Sequence, residues 1–238
     1  MMIMKMKNRK LMRLNRALLA TMIVSLGLAS QTGAAEATKD MAPLDIKLPI
    51  PAFIGTPTDI PLTPHIEKPS DKPRPPFLAP KNVKNVAEGK KVTSSDKAPV
   101  TGGLELVTDG NKEATDDSFV ELHRRLQWVQ IDLDSPCEMY AIVVWHAHNV
   151  GQVYHDVVVQ VADDADFTQN VNTVYNNDYD NSAGLGVGTD KEYFENYEGR
   201  LMDAKGVKGR YVRLFCQGST FSALNRYTEV EVYGVPAK

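Results

Sequence analysis

The chain has 238 residues, of which 42% are hydrophobic and 24% charged, with a formal net charge of −3. That balance excludes a collagen, a coiled coil along the whole length and a fully disordered chain. Residues 1–35 hold six of the 27 Lys and Arg and no acid, leaving 21 basic against 30 acidic residues beyond them. A net-acidic body lacks the basic footprint of a nucleic-acid binder, so no nucleic-acid partner is expected.

In chain order, Met1–Arg16 is basic, Ala17–Ala29 is apolar, and small residues follow at Thr32, Gly33, Ala34 and Ala35. A basic start, a short apolar run and a small-residue cleavage site spell a secretory signal peptide over 1–35. The apolar run is short against the roughly 20 residues that span a bilayer, so no stable membrane span is expected after cleavage. The expected location is secreted, periplasmic or at the cell surface. Eleven of the 14 prolines then fall between Pro43 and Pro80. Proline fixes φ and lacks an amide donor, so residues 36–84 read as an extended, polyproline-like linker, with a spacer as its simplest role.

From about Asn85 the pattern changes to short β-like runs between turn residues. Trp128–Leu133 alternates Val129, Ile131 and Leu133 against Trp128, Gln130 and Asp132. Met139–His146 is apolar on both faces, as in a central strand. Val157–Ala162, Tyr211–Cys216 and Glu229–Tyr233 follow, and no amphipathic helix longer than two turns is visible. Regular short strands without helices indicate an all-β sandwich or barrel over residues 85–238. Cys137 and Cys216 are the two cysteines. In an exported chain they fit either one disulfide or two buried thiols, and their spacing excludes CxxC redox chemistry.

The order and wording of these runs resemble a known family. NVAEGKKVTSS (85–95), LVTDGN (106–111), QWVQIDL (127–133), VVVQVADD (157–164), RYVRLF (210–215) and TEVEVYG (228–234) resemble, in sequence order, the strands and the "DG" loop of discoidin domains. These are also called coagulation factor 5/8 type C domains and include family 32 carbohydrate-binding modules. Asp134 stands where that family usually has glycine. The resemblance implies a galactose-binding-like jelly-roll β-sandwich, a structural calcium site and a ligand surface on loops at one end, with no catalysis by the domain itself.

Calcium takes six to eight oxygen ligands from carboxylates, amides and backbone carbonyls. Thr108-Asp109-Gly110-Asn111 offers a carboxylate, a glycine and an amide in four residues, with the Thr115 hydroxyl close behind. The resemblance adds Glu229 of the last strand, so Asp109, Asn111, Thr115, Thr228 and Glu229 are the expected Ca2+ ligands. The bland counterpart is an Asx turn at Asp109 and a solvated Glu229. Asp178, Asp180 and Asn181 form a second acidic stretch, but it lacks the EF-hand spacing and reads better as a glycine-rich surface loop. His146, His148 and His155 raise the option of zinc; polar residues at a strand end are the simpler account.

For a ligand, the resemblance points to the stretch His146-Ala147-His148-Asn149, where histidine stands in place of the family's arginine, and to Gly218–Arg226. In the latter, Phe221 would stack on a sugar face and Asn225 would bond hydroxyls. The expected ligand residues are therefore His146, His148, Asn149, Phe221 and Asn225. GxSxG, HExxH, a Walker loop and a dinucleotide fingerprint are all absent from the sequence. The reading that results is an exported, non-catalytic binding protein whose partner is a glycan or polysaccharide. The alternative is a protein-interaction or envelope-assembly module of the same fold with a cell-surface protein as partner.

Overall fold

The structure is a computed structural model and describes residues 40–70 and 72–237. The signal-peptide reading of residues 1–35 lies outside the described residues. Ten strands follow in order: β1 Met41–Pro43, β2 Leu78–Pro80, β3 Lys84–Asn85, β4 Lys91–Ser94, β5 Val120–Leu122, β6 Gln127–His146, β7 Val158–Ala162, β8 Asn172–Asn176, β9 Arg200–Cys216 and β10 Asn225–Pro236. A 3-10 turn at Leu104–Val107 is the single helical element among the described residues. The all-β expectation holds: every strand pair is antiparallel, and the large sheet runs β3-β10-β6-β9-β7-β8, with β4 added to β6 and β5 to β10.

Two long strands turn this sheet into a β-sandwich. The first half of β6 pairs with β4 and with Tyr211–Cys216 of β9, whereas its second half pairs with β10 and with the start of β9. The register shifts between Asp132 and Cys137 and again between Met139 and Ala141, so the strand bends and its two halves serve opposite layers. The sequence splits β6 into two strands because Asp134-Ser135-Pro136 reads as a turn. In the fold this stretch is a bulge, with Asp134 at φ 66°. Between the layers lies one apolar core that includes Val129, Ile131, Met139, Ile142, Val144, Val159, Val161, Leu214, Val230 and Val232.

Met139–His146 is apolar on both faces for a second reason. Ala141, Val143 and Trp145 face outward from the main core into a smaller cluster closed by Leu44, Ile46 and Phe77 of the proline-rich segment. The segment is extended, yet a free spacer does not describe residues 40–80: they belong to the compact unit Lys39–Lys238. Arg74 donates from its backbone to the Glu198 carboxylate at 3.2 Å and from Nη1 to the carbonyls of Glu198 and Gly199 at 2.9 and 2.8 Å. Ile66 bridges to Glu192, and Glu67 pairs with Arg200 at 2.7 Å. Proline denies this stretch a sheet of its own, but the apolar residues between the prolines still gain by covering an apolar sheet face.

Both cysteines are buried and free. Cys216 lies at one end of the β6–β9 ladder opposite Gln127, and Cys137 lies ten residues along β6 from Gln127, opposite Gly209. A disulfide needs Cα atoms within about 7 Å, so of the two readings the buried thiols stand. Burial pushes the Cys216 thiol up to about 12.

Candidate functional site

Three loops meet at one end of the sandwich: 108–118 after the 3-10 turn, 147–155 after β6, and 217–224 before β10. Their meeting is built from specific bonds. Val153 N–H donates to Thr220 Oγ1 at 3.1 Å, Thr220 N–H donates to the Val153 carbonyl at 2.9 Å, and Ser219 Oγ donates to Gln152 Oε1 at 2.7 Å. His148 Nε2 bonds the Lys112 carbonyl at 2.9 Å, and Asn149 Nδ2 donates to Asp116 Oδ1 at 3.1 Å.

The expected ligand residues divide on burial. Phe221 is 59% exposed, far more than a packed loop aromatic. The Arg226 guanidinium lies 5.9 Å from its ring centre and 5.2 Å from that of Phe119, and it is ion-paired to Glu121. Asn149 is half-buried and its Oδ1 has no hydrogen-bond partner. Phe221 and Asp116 are exposed and Arg226 is half-buried behind the Phe221 ring, whereas the Asn149 Oδ1 is shielded from solvent. Asn225 is not part of this rim. It is fully buried; its Oδ1 accepts the Gly218 N–H at 2.7 Å, and its Nδ2 donates to the carbonyls of His123 and Arg125 at 2.7 and 2.9 Å. With these bonds made, it anchors the loop that carries Phe221 instead of meeting a ligand.

His146 and His148 are corrected in the same way, since both are buried. His146 pairs through Nδ1 with Glu195 Oε1 at 2.6 Å and stacks on Tyr154 with ring centres 4.2 Å apart. His148 braces the 108–118 loop. His155 bonds Glu192 at 2.7 Å, and that bond raises its pKa above the ordinary histidine value. The three imidazoles turn to three different partners and do not converge on a zinc ion. Arg226 and Asp116 escaped the sequence reading. Arg226 was legible in principle: buried Tyr227 beside it fixes the strand's alternation, which turns Arg226 to the rim.

The expected calcium residues do come together. Asp109 Oδ1 accepts the Asn111 N–H at 2.8 Å, as in an Asx turn, while Gly110, at φ 84°, donates its N–H to Glu229 Oε2 at 3.1 Å. Asn111 Nδ2 donates to Ser118 Oγ at 3.3 Å, and Thr115 Oγ1 bonds the same hydroxyl. Thr228 is buried within a register shift of β10. Glu229 is fully buried and its Oε1 has no partner. Burial pushes its carboxyl up to about 9; the charges of Glu231 and Asp109 add to this, while the Gly110 N–H opposes it. Glu229 is a buried carboxyl with one orphan oxygen beside a second carboxylate, and the Lys112 ammonium, itself paired with Glu231, joins the Gly110 N–H in opposing the rise. The donor set, all oxygen, fits a hard cation.

A different acidic group, Asp156, Asp178 and Asp180, brings one oxygen from each residue within 4.8 Å of the others. Its bonds are internal. Asp178 accepts the N–H groups of Ser182 and Ala183, both at 2.9 Å, and Asp156 accepts the Ser182 hydroxyl at 2.8 Å. These bonds shape the glycine-rich loop.

No protein-family model matches the sequence, and no curated protein matches it significantly. Solved structures with a similar chain trace exist. One is CpGH89 from Clostridium perfringens in complex with GlcNAc-alpha-1,4-galactose, at 17% identity and TM-score 0.48; the match covers 64% of this chain and 15% of that one. A second is a Streptococcus pneumoniae fucose-binding module, at 20% identity and TM-score 0.43, with 63% and 97% covered. A third is a fucolectin from Morone saxatilis serum, at 18% identity and TM-score 0.44, with 66% and 50% covered. The chain thus spans about 15% of the length of the hydrolase. Among the described residues no helix is long and apolar enough to cross a membrane.

Proposed function

We propose that this chain is an exported, non-catalytic binding protein that holds a carbohydrate against Phe221 at the three-loop end of its sandwich. The supporting observation is an exposed aromatic ring backed by an arginine, on loops cross-braced by hydrogen bonds. Sugar rings present apolar C–H faces that lie on aromatic rings, and hydroxyls that bond planar polar groups. In this reading Phe221 would carry the face, and Arg226 behind it would meet hydroxyls. Because the loops are tied before any ligand arrives, little ordering remains to be done on binding.

Calcium is proposed as the structural ion of the neighbouring loop. Asp109, Asn111, Thr115, Thr228 and Glu229 would hold it, and its charge would match the orphan oxygen of Glu229. His148 and Asn149 connect that loop to the rim, so the ion would stiffen the ligand surface as well as the fold.

Immobilised glycans and purified variants test both parts. Phe221→Ala is expected to weaken glycan binding by about tenfold or more with an unchanged melting temperature. Binding that survives this change, or that goes to a protein and resists sugar competitors, rejects the reading. Calcium well above its Kd is expected to raise Tm by about 5–10 °C, and Asp109→Ala to remove the increment. A wild-type melt that is the same in calcium and in chelator rejects the metal site.

A further inference from the structure

The turn between β5 and β6, residues 123–126, carries two arginines that the rim described above does not use. The sheet places this turn beside the loop of Phe221. Leu122 and Gln127, on either side of the turn, pair with Asn225 and Cys216, on either side of the loop 217–224. Buried Asn225 ties the two together. Its Nδ2 donates to the carbonyls of His123 and Arg125 at 2.7 and 2.9 Å, while its Oδ1 accepts the Gly218 N–H at 2.7 Å. The backbone of the turn is thus fixed, and Arg124 and Arg125 are exposed on it.

The acids around the turn are already spent. Glu121 is ion-paired to Arg226. Asp96 Oδ2 accepts the His123 N–H and bonds its Nδ1, both at 2.8 Å, and Asp96 Oδ1 accepts the Ala98 N–H at 3.1 Å. Among the described residues, the side chains of Arg124 and Arg125 have no ion-pair or hydrogen-bond partner. The turn itself does not call for arginine. Arg125 is at φ 77°, a left-handed position that glycine takes at lower cost. The loop 108–118 is by contrast acidic, with Glu113, Asp116 and Asp117 exposed. This end of the sandwich therefore carries its free positive charge on one turn and its negative charge on another loop.

We propose that the ligand of the Phe221 rim is an acidic saccharide, whose anionic group is met by Arg124 and Arg125. The assignment rests on the carbohydrate reading of the rim and adds the ligand class to it. A guanidinium presents paired N–H donors in one plane, which match two oxygens of a single anionic group. The carboxylate of a uronic acid and a sulfate ester both offer such oxygens. Two like charges on adjacent residues repel, and an anion between them relieves the repulsion. A neutral sugar would leave both guanidinium groups unpaired and would draw nothing from the turn.

The full chain on an array of neutral, uronic-acid and sulfated glycans tests this, read at about 0.05 and about 0.5 M salt, where screening of exposed charges differs strongly. The variants are Phe221→Ala, Arg124→Ala, Arg124→Lys and Arg125→Gly, with each melting temperature as the control for folding. Arg125→Gly suits the left-handed backbone, so it is expected to melt at or above the wild-type temperature. The expected result is that wild type prefers an acidic glycan to its neutral counterpart. Arg124→Ala and Arg125→Gly should each weaken that glycan about fivefold or more and reduce its salt dependence, while Arg124→Lys keeps part of the binding. The uronic-acid and sulfated arms tell which anion is held. Binding confined to neutral glycans, lost in Phe221→Ala and unchanged in both arginine variants, overturns the acidic ligand and leaves the rim reading standing. Acidic-glycan binding that both arginine variants keep in full does the same. Acidic-glycan binding that needs the arginines but survives Phe221→Ala keeps the anion role of the turn and overturns the rim reading. A wild-type chain that binds no glycan overturns both.

Discussion

At the scale of single residues, the type of a side chain was legible and its surroundings were not. His146 and His148 share a face by their spacing of two, yet one is sealed against Glu195 and the other against the Lys112 carbonyl. Asn225 has the chemistry of a hydroxyl reader, but four bonding partners inside the fold occupy it. Burial is set by residues far away in sequence, so no local pattern reports it. Asp134 shows the reverse case. It stands where the resembling family has glycine, and the structure gives the reason, since the position is left-handed at φ 66°. Aspartate tolerates that conformation better than most residues, at a cost that glycine avoids. The exposed pair it makes with Lys90 at 2.5 Å contributes little in return. Asp134→Gly is therefore expected to melt at or slightly above the wild-type temperature, and Asp134→Val to lose about 1–2 kcal/mol. Calorimetry on the two variants checks the order, and a Gly variant clearly less stable than wild type would show that the ion pair dominates.

At the scale of elements, the alternating runs gave their strands because period-two patterning survives wherever a strand has one buried face. Two features broke that rule. The β6 bend looked like a turn between two strands, since Asp134-Ser135-Pro136 carries turn chemistry. The first half of β9 went unread because Lys205 and Gly206, at φ 53° and 76°, interrupt it. The outer face of β6 depends on one loop. Trp145 is fully buried, its Nε1 donates to the Tyr197 carbonyl at 3.0 Å, and a Cβ at Gly199 would lie 2.5 Å from its ring. Gly199 is also at φ 64°, so both space and backbone require glycine there. Gly199→Ala is expected to cost about 2–4 kcal/mol and to alter the near-UV circular dichroism of the tryptophans. A variant that melts like wild type with an unchanged spectrum would contradict this packing.

At the scale of the whole molecule, proline content misleads about role. Eleven prolines make residues 43–80 extended, as polyproline chemistry demands. They do not make the segment free, because Leu44, Ile46 and Phe77 lie between the prolines and cover Ala141, Val143 and Trp145. The two-faced apolar character of Met139–His146 was the legible trace of that cover, and it was open to the simpler reading of a strand buried by sheet alone. The candidate rim was legible in part. The resemblance named Phe221, which is exposed, and Asn149, which is half-buried, while Arg226 and Asp116 came from the fold. These pieces give one molecule with a braced loop end, an adjoining loop that carries Asp109, and a proline-walled cleft. The most direct measurement of its function is a crystal structure of the full chain, grown in calcium with whichever saccharide it binds most tightly on an array. The account predicts a sugar ring lying on Phe221 within hydrogen-bonding reach of Arg226, together with an ion between Asp109 and Glu229. A sugar bound away from the rim, with Phe221 still bare, would contradict it.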